Sequence, residues 1–366
     1  MSPTVFLSFA IALQLFYNIH GEISCKNMAG KPVDWFIVYK LPRLHHGQDE
    51  QVREGIAFYY MDSESPAWSR SKTPINATGH AVEHTLRQIY THDKSKEVMY
   101  ALYNDEKPGK ETSFTYGHTK GDVCFDKSSG FWLVHSVPHL PPWANESYAY
   151  PHTGRMYGQT FLCVTYNYDQ LNLIGKQMMY NMPWVYDFNM PDSFAKTSPQ
   201  MALVLQNKHV KQQPWNNSVV LQSKGSQKFL SFAKYRKFDA DLYDAWVAPY
   251  LGSPLYVESW QNGKGPTPSN CSGQYKVFNI KELKVGTVAF DEPHDHAKWC
   301  VTTHTAIPVV CIGDINRQDS QKQRSGGTVC LQHTAVWKAF SSSVIRVEKC
   351  QTLTRSDQDP QALTGL

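Results

Sequence analysis

Residues 293–300 read Pro293-His294-Asp295-His296-Ala297-Lys298-Trp299-Cys300, and far upstream residues 116–122 read Tyr116-Gly117-His118-Thr119-Lys120-Gly121-Asp122. Alone, the later stretch suggests a metal site, because two histidines, an aspartate and a cysteine crowd together. Beside the earlier one it becomes the second of two His-x-Lys triplets, one in each half of the chain. A single triplet of this kind arises by chance. Here, however, each is followed by an apolar strand, "FWLVHSVP" after the first and "PVVCIGDIN" after the second. Residues i and i+2 of a strand share a face, so each histidine is expected to point the same way as its lysine. Two similar halves packed about a pseudo-twofold axis then bring two imidazoles and two ammonium groups into one pocket.

That set of groups suits phosphodiester cleavage. A neutral histidine attacks phosphorus while a protonated one supplies the departing oxygen with a proton. Two lysines bind the non-bridging oxygens as charge spreads over them. One histidine must be charged and the other neutral, which favours an acidic optimum. A zinc site would instead need three or four convergent ligands. Oxidised cysteines bind metal poorly and Lys298 would repel a cation, so neither a metal nor another cofactor is expected, and His294 and Cys300 are read as bystanders.

The 366 residues carry 41% hydrophobic and 19% charged side chains, an ordinary globular composition. The formal charge of +4 is too small to mark a polyanion-binding protein at neutral pH, but 15 histidines make the chain strongly basic in acid. Residues 1–21, "MSPTVFLSFAIALQLFYNIHG", hold a short apolar run that fits a signal peptide. No later stretch approaches the roughly 20 apolar residues of a membrane span. Sequons at Asn76, Asn145, Asn216 and Asn270 provide for N-glycans. All 8 cysteines follow the signal peptide, and an even count in an exported chain favours disulfides. A secreted or lumenal protein is expected.

Short β-branched and aromatic runs predict strands at 33–41, 98–104, 130–138, 159–168, 228–234, 253–260 and 327–333. Apolar residues at 82, 86 and 89 predict a helix over 81–90, and 238–251 also reads as helical. The class is α/β (mixed α+β). The polar, proline-containing stretch 191–213 is the best boundary, dividing an N-terminal half (22–205) from a C-terminal half (206–350), with a polar tail at 351–366.

The stretches "GKPVDWFIVYKLP" (30–42), "ALYND" (101–105), "YGHTKG", "GFWLVHSVPHLPP" (130–142), "YGQTFLCVTY" (157–166), "FAKYRKFDADLYDAW" (232–246), "TPSNCS" (267–272), "DHAKWCV", "CIGDINR" (311–317) and "RSGGTVC" (324–330) together resemble the deoxyribonuclease II family. The resemblance spans nearly the whole chain after the signal peptide. It implies a phospholipase-D-like pseudodimer, two similar halves each with a β-sheet flanked by helices and an active site at the pseudo-twofold interface. It also implies an acid endonuclease that cuts double-stranded DNA without divalent metal and leaves 3′-phosphate ends. Carried over by motif, the catalytic centre is His118, Lys120, His296 and Lys298, with His296 preferred as the residue that attacks phosphorus. Gly313-Asp314-Ile315-Asn316 stands where the superfamily has a supporting element, which makes Asn316 a supporting residue. Ser136 and His135 hold the corresponding place in the first half. The family's bridges fall on Cys25–Cys163, Cys271–Cys350 and Cys311–Cys330, and its usual locations are the lysosome lumen and secretions. The protein is then a monomeric pseudodimer or a homodimer of such chains.

Some features depart from that pattern. Cys124 and Cys300 remain outside the implied bridges and form either a fourth bridge across the pseudo-twofold or two buried thiols. Asp122 is an acidic residue directly after "GHTKG", placed either to pair with Lys120 or to turn outward. Lys234, Arg236 and Lys237 read as a solvated face or as contacts to a nucleic-acid backbone. A second reading of the whole chain is a secreted toxin or DNA-binding protein on the same scaffold, with nuclease activity secondary or lost.

Overall fold

The computed structural model describes residues 22–92 and 97–350; the expected signal peptide and polar tail lie outside the described residues. Ten strands form the body. In the first half they are β1 (Trp35–Lys40), β2 (Met99–Asn104), β3 (Lys120–Phe125), β4 (Ser129–His135) and β5 (Gln159–Asn167). In the second they are β6 (Lys228–Lys234), β7 (Leu255–Glu258), β8 (Trp299–Thr302), β9 (Val309–Gly313) and β10 (Gly326–Gln332). One sheet contains the order β1-β5-β4-β3-β2 and the other β6-β10-β9-β8-β7. These are the same order five strands apart, so the halves repeat one topology, as expected for the pseudodimer. Further strands extend both sheets outward, Phe58–Asp62 and Val185–Asn189 in one, Asn216–Gln222 and Val277–Val285 in the other.

The strands are buried on both faces, which is why they read as continuous apolar runs. Alternate residues of β1 divide between two layers. Trp35, Ile37 and Tyr39 join a core shared with Trp299, Val301, Val310 and Ile312 of the second sheet. Phe36 and Val38 face the other way, toward helix α1 (Ala81–Tyr90). Val82, Leu86 and Ile89 of α1 are fully buried at the predicted spacing, and each such side chain contributes roughly 1.5–3 kcal/mol. His80 caps this helix, accepting the Glu83 N–H.

The helix expected over 238–251 is shorter than its pattern. Asp239 adopts φ 51°, and the helical turns run from Tyr243 to Leu251, ending at Gly252 with φ 65°. The stretch 191–213 is also more ordered than its polarity suggests. It carries short helices at Asp192–Thr197 and Pro199–Leu205, whose Phe194, Met201 and Val204 enter the central core.

Disulfides join Cys25 to Cys163, Cys271 to Cys350 and Cys311 to Cys330. Cys124 and Cys300 are free and buried. A fourth bridge between them is ruled out by the layering, because Cys124 belongs to the outer core of the first sheet and Cys300 to that of the second. Asn76 and Asn145 are exposed, whereas Asn216 and Asn270 are half-buried. Among the described residues, no helix is long and apolar enough to cross a membrane.

Candidate active site

Both His-x-Lys triplets sit at strand entries. Lys120 opens β3, and Lys298 immediately precedes β8. The repeat places the histidines face to face across the halves, and each is held by the half to which it does not belong. The His118 main-chain N–H donates to the Ser325 carbonyl, and that of His296 to the Gly158 carbonyl. These acceptors occupy matching places, one residue before β10 and one residue before β5. The rings repeat the arrangement. Nδ1 of His118 lies 2.5 Å from the Asp314 carbonyl, and Nδ1 of His296 lies 3.1 Å from the Ser136 carbonyl. A carbonyl oxygen only accepts, so Nδ1 carries the proton in both rings and the Nε2 lone pairs are free for chemistry.

Two buried lysines brace these contacts. Lys40, at the end of β1, donates to the Arg155 carbonyl at 2.9 Å. Its counterpart Lys234, at the end of β6, donates to the carbonyls of Gln321, Lys322 and Arg324. Both tie down the loops that deliver Gly158 and Ser325. Lys234 has no solvent exposure, so it is neither a solvated charge nor a DNA contact; burial lowers its pKa to about 7.

A narrow cavity lies between the halves, lined by His118, Lys120, His135, Ser136, Lys298 and Asp314. His296 stands at its rim, half-buried, with Trp260 edge-on at 5.3 Å between ring centroids. Burial, then the charges of Lys120, Arg324 and Lys298, holds the His118 pKa well below the ordinary range. His296 is depressed in the same direction by burial, Lys298, Lys120 and His118. Lys298 is pushed down by burial and by Lys120, against the pull of Asp295, Asp105 and Glu106. The pocket therefore gathers both imidazoles and both lysines at close range, with Asp105 and Glu106 beside Lys120.

Several contributors were not visible in the sequence. Asp105, fully buried, accepts from Lys120 on one oxygen and from Arg324 on the other. Gln159 Oε1 accepts the Ser136 hydroxyl at 2.6 Å and lies 3.3 Å from His296 Nδ1. Asp314 contacts the first histidine through its main chain, while its carboxyl, raised to about 7 by burial, accepts the Thr119 hydroxyl. "ALYND" and "YGQT" were among the quoted stretches, but nothing in them marked which residue meets the histidines.

The expected supporting residues are distributed unevenly. Ser136 and His135 line the cavity. Asn316 is buried, with Oδ1 unpartnered among the described residues, and Asp314, two residues before it, makes the contact. Asp122 neither pairs with Lys120 nor turns outward. It is fully buried with both oxygens unpartnered among the described residues, 3.8 Å from His135 Nε2. Strand parity directs it into the outer core beside Cys124. His294 is exposed, while Cys300 is buried in the outer core of the second sheet. Among the described residues, no three His, Cys, Asp or Glu side chains are grouped to hold a metal ion.

Residues 24–350 match the family Deoxyribonuclease II. The chain is 41% identical over 348 residues to Plancitoxin-1 of Acanthaster planci, covering 94% of this chain and 97% of that one. It is 41% identical over 335 residues to Deoxyribonuclease-2-alpha of Mus musculus, covering 90% and 94%. It is 38% identical over 352 residues to Deoxyribonuclease-2-beta of Homo sapiens, covering 94% and 97%. With a match across both halves of the repeat and relatives aligned almost end to end, this chain belongs to the deoxyribonuclease II family.

Proposed function

We propose that this deoxyribonuclease II-type enzyme is an acid endonuclease that cleaves double-stranded DNA by a two-step, metal-independent route through His296 and His118. The observation that carries the reading is the reciprocal holding of the two imidazoles, with both Nδ1 atoms fixed as donors and both Nε2 atoms left for reaction. Nε2 of His296, neutral, forms a bond to phosphorus as the bond to the 5′-oxygen breaks. His118, protonated in acid, gives that oxygen its proton. A water then passes a proton to His118 and attacks phosphorus, the P–N bond breaks, and a 3′-phosphate is released. Lys120 and Lys298 neutralise the non-bridging oxygens in both steps.

The depressed pKa of His118 supports an acidic working range, because its proton is retained only at low pH or beside a phosphate. Three disulfides and the four sequons support residence in the lysosome lumen or in secretions, with N-glycans attached. Plasmid nicking at pH 5 with chelator, followed by end-group analysis, tests the route. Persisting activity in His296→Ala, or loss of activity on chelation, would sink it. The likeness to Plancitoxin-1 favours a second reading, a toxin on the same scaffold. That reading gains if the wild type cuts nothing at any pH.

A further inference from the structure

Next to the reacting groups lies a larger cavity, about 570 Å³, whose walls include Arg43, Arg155, His152, Glu54 and Tyr157. Nε of Arg43 and Nε of Arg155 are buried with no hydrogen-bond partner among the described residues, so an occupant of the cavity meets only the ends of the two guanidinium groups. Two guanidinium groups in one cavity wall suit an anionic occupant.

The cavity is built by close backbone approach. The Arg43 N–H donates to the Met156 carbonyl at 3.0 Å, and the Arg155 carbonyl is fixed by Lys40. Gly55, at φ 70°, lets the two segments meet, since a Cβ there would fall 2.1 Å from the Arg155 oxygen and 2.9 Å from Arg43 Cβ. The wall carries one carboxylate, Glu54, which is exposed. Against it stand two permanent cations.

Its place relative to the chemistry is set by Tyr157. That ring lies 4.6 Å from Trp260, which in turn lies 5.3 Å from His296. Arg155 stands three chain steps before Gly158, whose carbonyl holds the His296 N–H. Such a span covers at most about 10 Å of extended chain, or about three nucleotide steps of a strand rising 3.4 Å each.

We infer that Arg43 and Arg155 form a second phosphate subsite, which grips a backbone phosphodiester of the substrate strand within about three nucleotides of the one being cut. The inference rests on the DNA reading above for its ligand. Planar guanidinium groups suit the paired oxygens of a phosphodiester, and the site gives the enzyme a hold on polymer that a mononucleotide would lack.

The test separates binding from cleavage. Affinity of the His296→Ala protein for a fluorescent 20-base-pair duplex is measured at pH 5 across a salt series, with and without Arg43→Gln and Arg155→Gln. Each substitution is expected to weaken binding roughly tenfold. The pair together should make the slope of log affinity against log salt shallower by about two. Arg43→Lys/Arg155→Lys, which keeps the charge, should restore most of the slope. Unchanged affinity and slope would overturn the subsite, as would weaker binding at an unchanged slope, which marks structural damage. Displacement of the duplex by inorganic phosphate at constant ionic strength would show that a free anion occupies the cavity, and would overturn the strand assignment. Wild-type protein that binds the duplex through both arginines yet never cuts it leaves the subsite standing and removes the nuclease reading.

Discussion

Asp105 holds the ammonium of Lys120 from a position with no solvent exposure, and Arg324 occupies its other oxygen at 2.8 Å. The carboxylate aligns Lys120 of the first half, proposed to bind phosphate, with an arginine from the second. Asp105→Asn should lower kcat/KM roughly 10²–10³-fold, since the lysine loses the partner that aims it. It should also cost about 3–5 kcal/mol of stability, as one member of a buried ion pair is removed. Steady-state kinetics and urea unfolding read the two effects separately.

Gln159 approaches His296 at Nδ1, away from Nε2. Gln159→Glu keeps the acceptor but adds a negative charge, which favours the imidazolium. On the proposed route His296 attacks as the neutral imidazole, so the acid limb of the kcat/KM profile should move up by about one pH unit. The alkaline limb, set by His118, should stay in place. A profile that does not move would show that His296 is not the attacking group.

Asp122 carries a stability cost that depends on pH. Burial raises its pKa well above the ordinary value, so the folded protein pays for ionising it and loses stability as pH rises from near 4 toward the raised value. Asp122→Val removes the orphan oxygens and should stabilise by about 1–3 kcal/mol. The gain should be larger at pH 8 than at pH 5. Urea midpoints at the two pH values measure it.

Cys124 and Cys300 lie in separate outer cores, and burial raises the pKa of both thiols. Native protein should leave them unmodified by iodoacetamide. Denatured, unreduced protein should take up two equivalents, at these positions alone.

How much was legible in the sequence depended on whether a side chain advertised itself. Helix α1 was visible because Val82, Leu86 and Ile89 repeat at helical spacing. The two triplets were visible because imidazole next to ammonium is distinctive once it appears twice. The groups that hold the histidines were hidden for a different reason. The carbonyls of Asp314, Ser136, Gly158 and Ser325 do that work, and any residue type has a carbonyl. Lys234 misled because its charge suggested solvent, while its position at the end of a buried strand sends it inward.

The same cross-holding has a consequence for how the molecule comes apart. Each bridge lies within one half: Cys25–Cys163 in the first, Cys271–Cys350 and Cys311–Cys330 in the second. A protease that cut between Leu205 and Asn216, where one sheet's strands give way to the other's, would leave two polypeptides with no covalent tie. The apolar layer between the sheets and the polar contacts across it, Asp105 to Arg324 among them, would be all that joined them, and neither fragment would own a complete pair of imidazole supports. The enzyme is thus a heterodimer written as a single chain, with its assembly step completed in advance by the peptide that connects its halves.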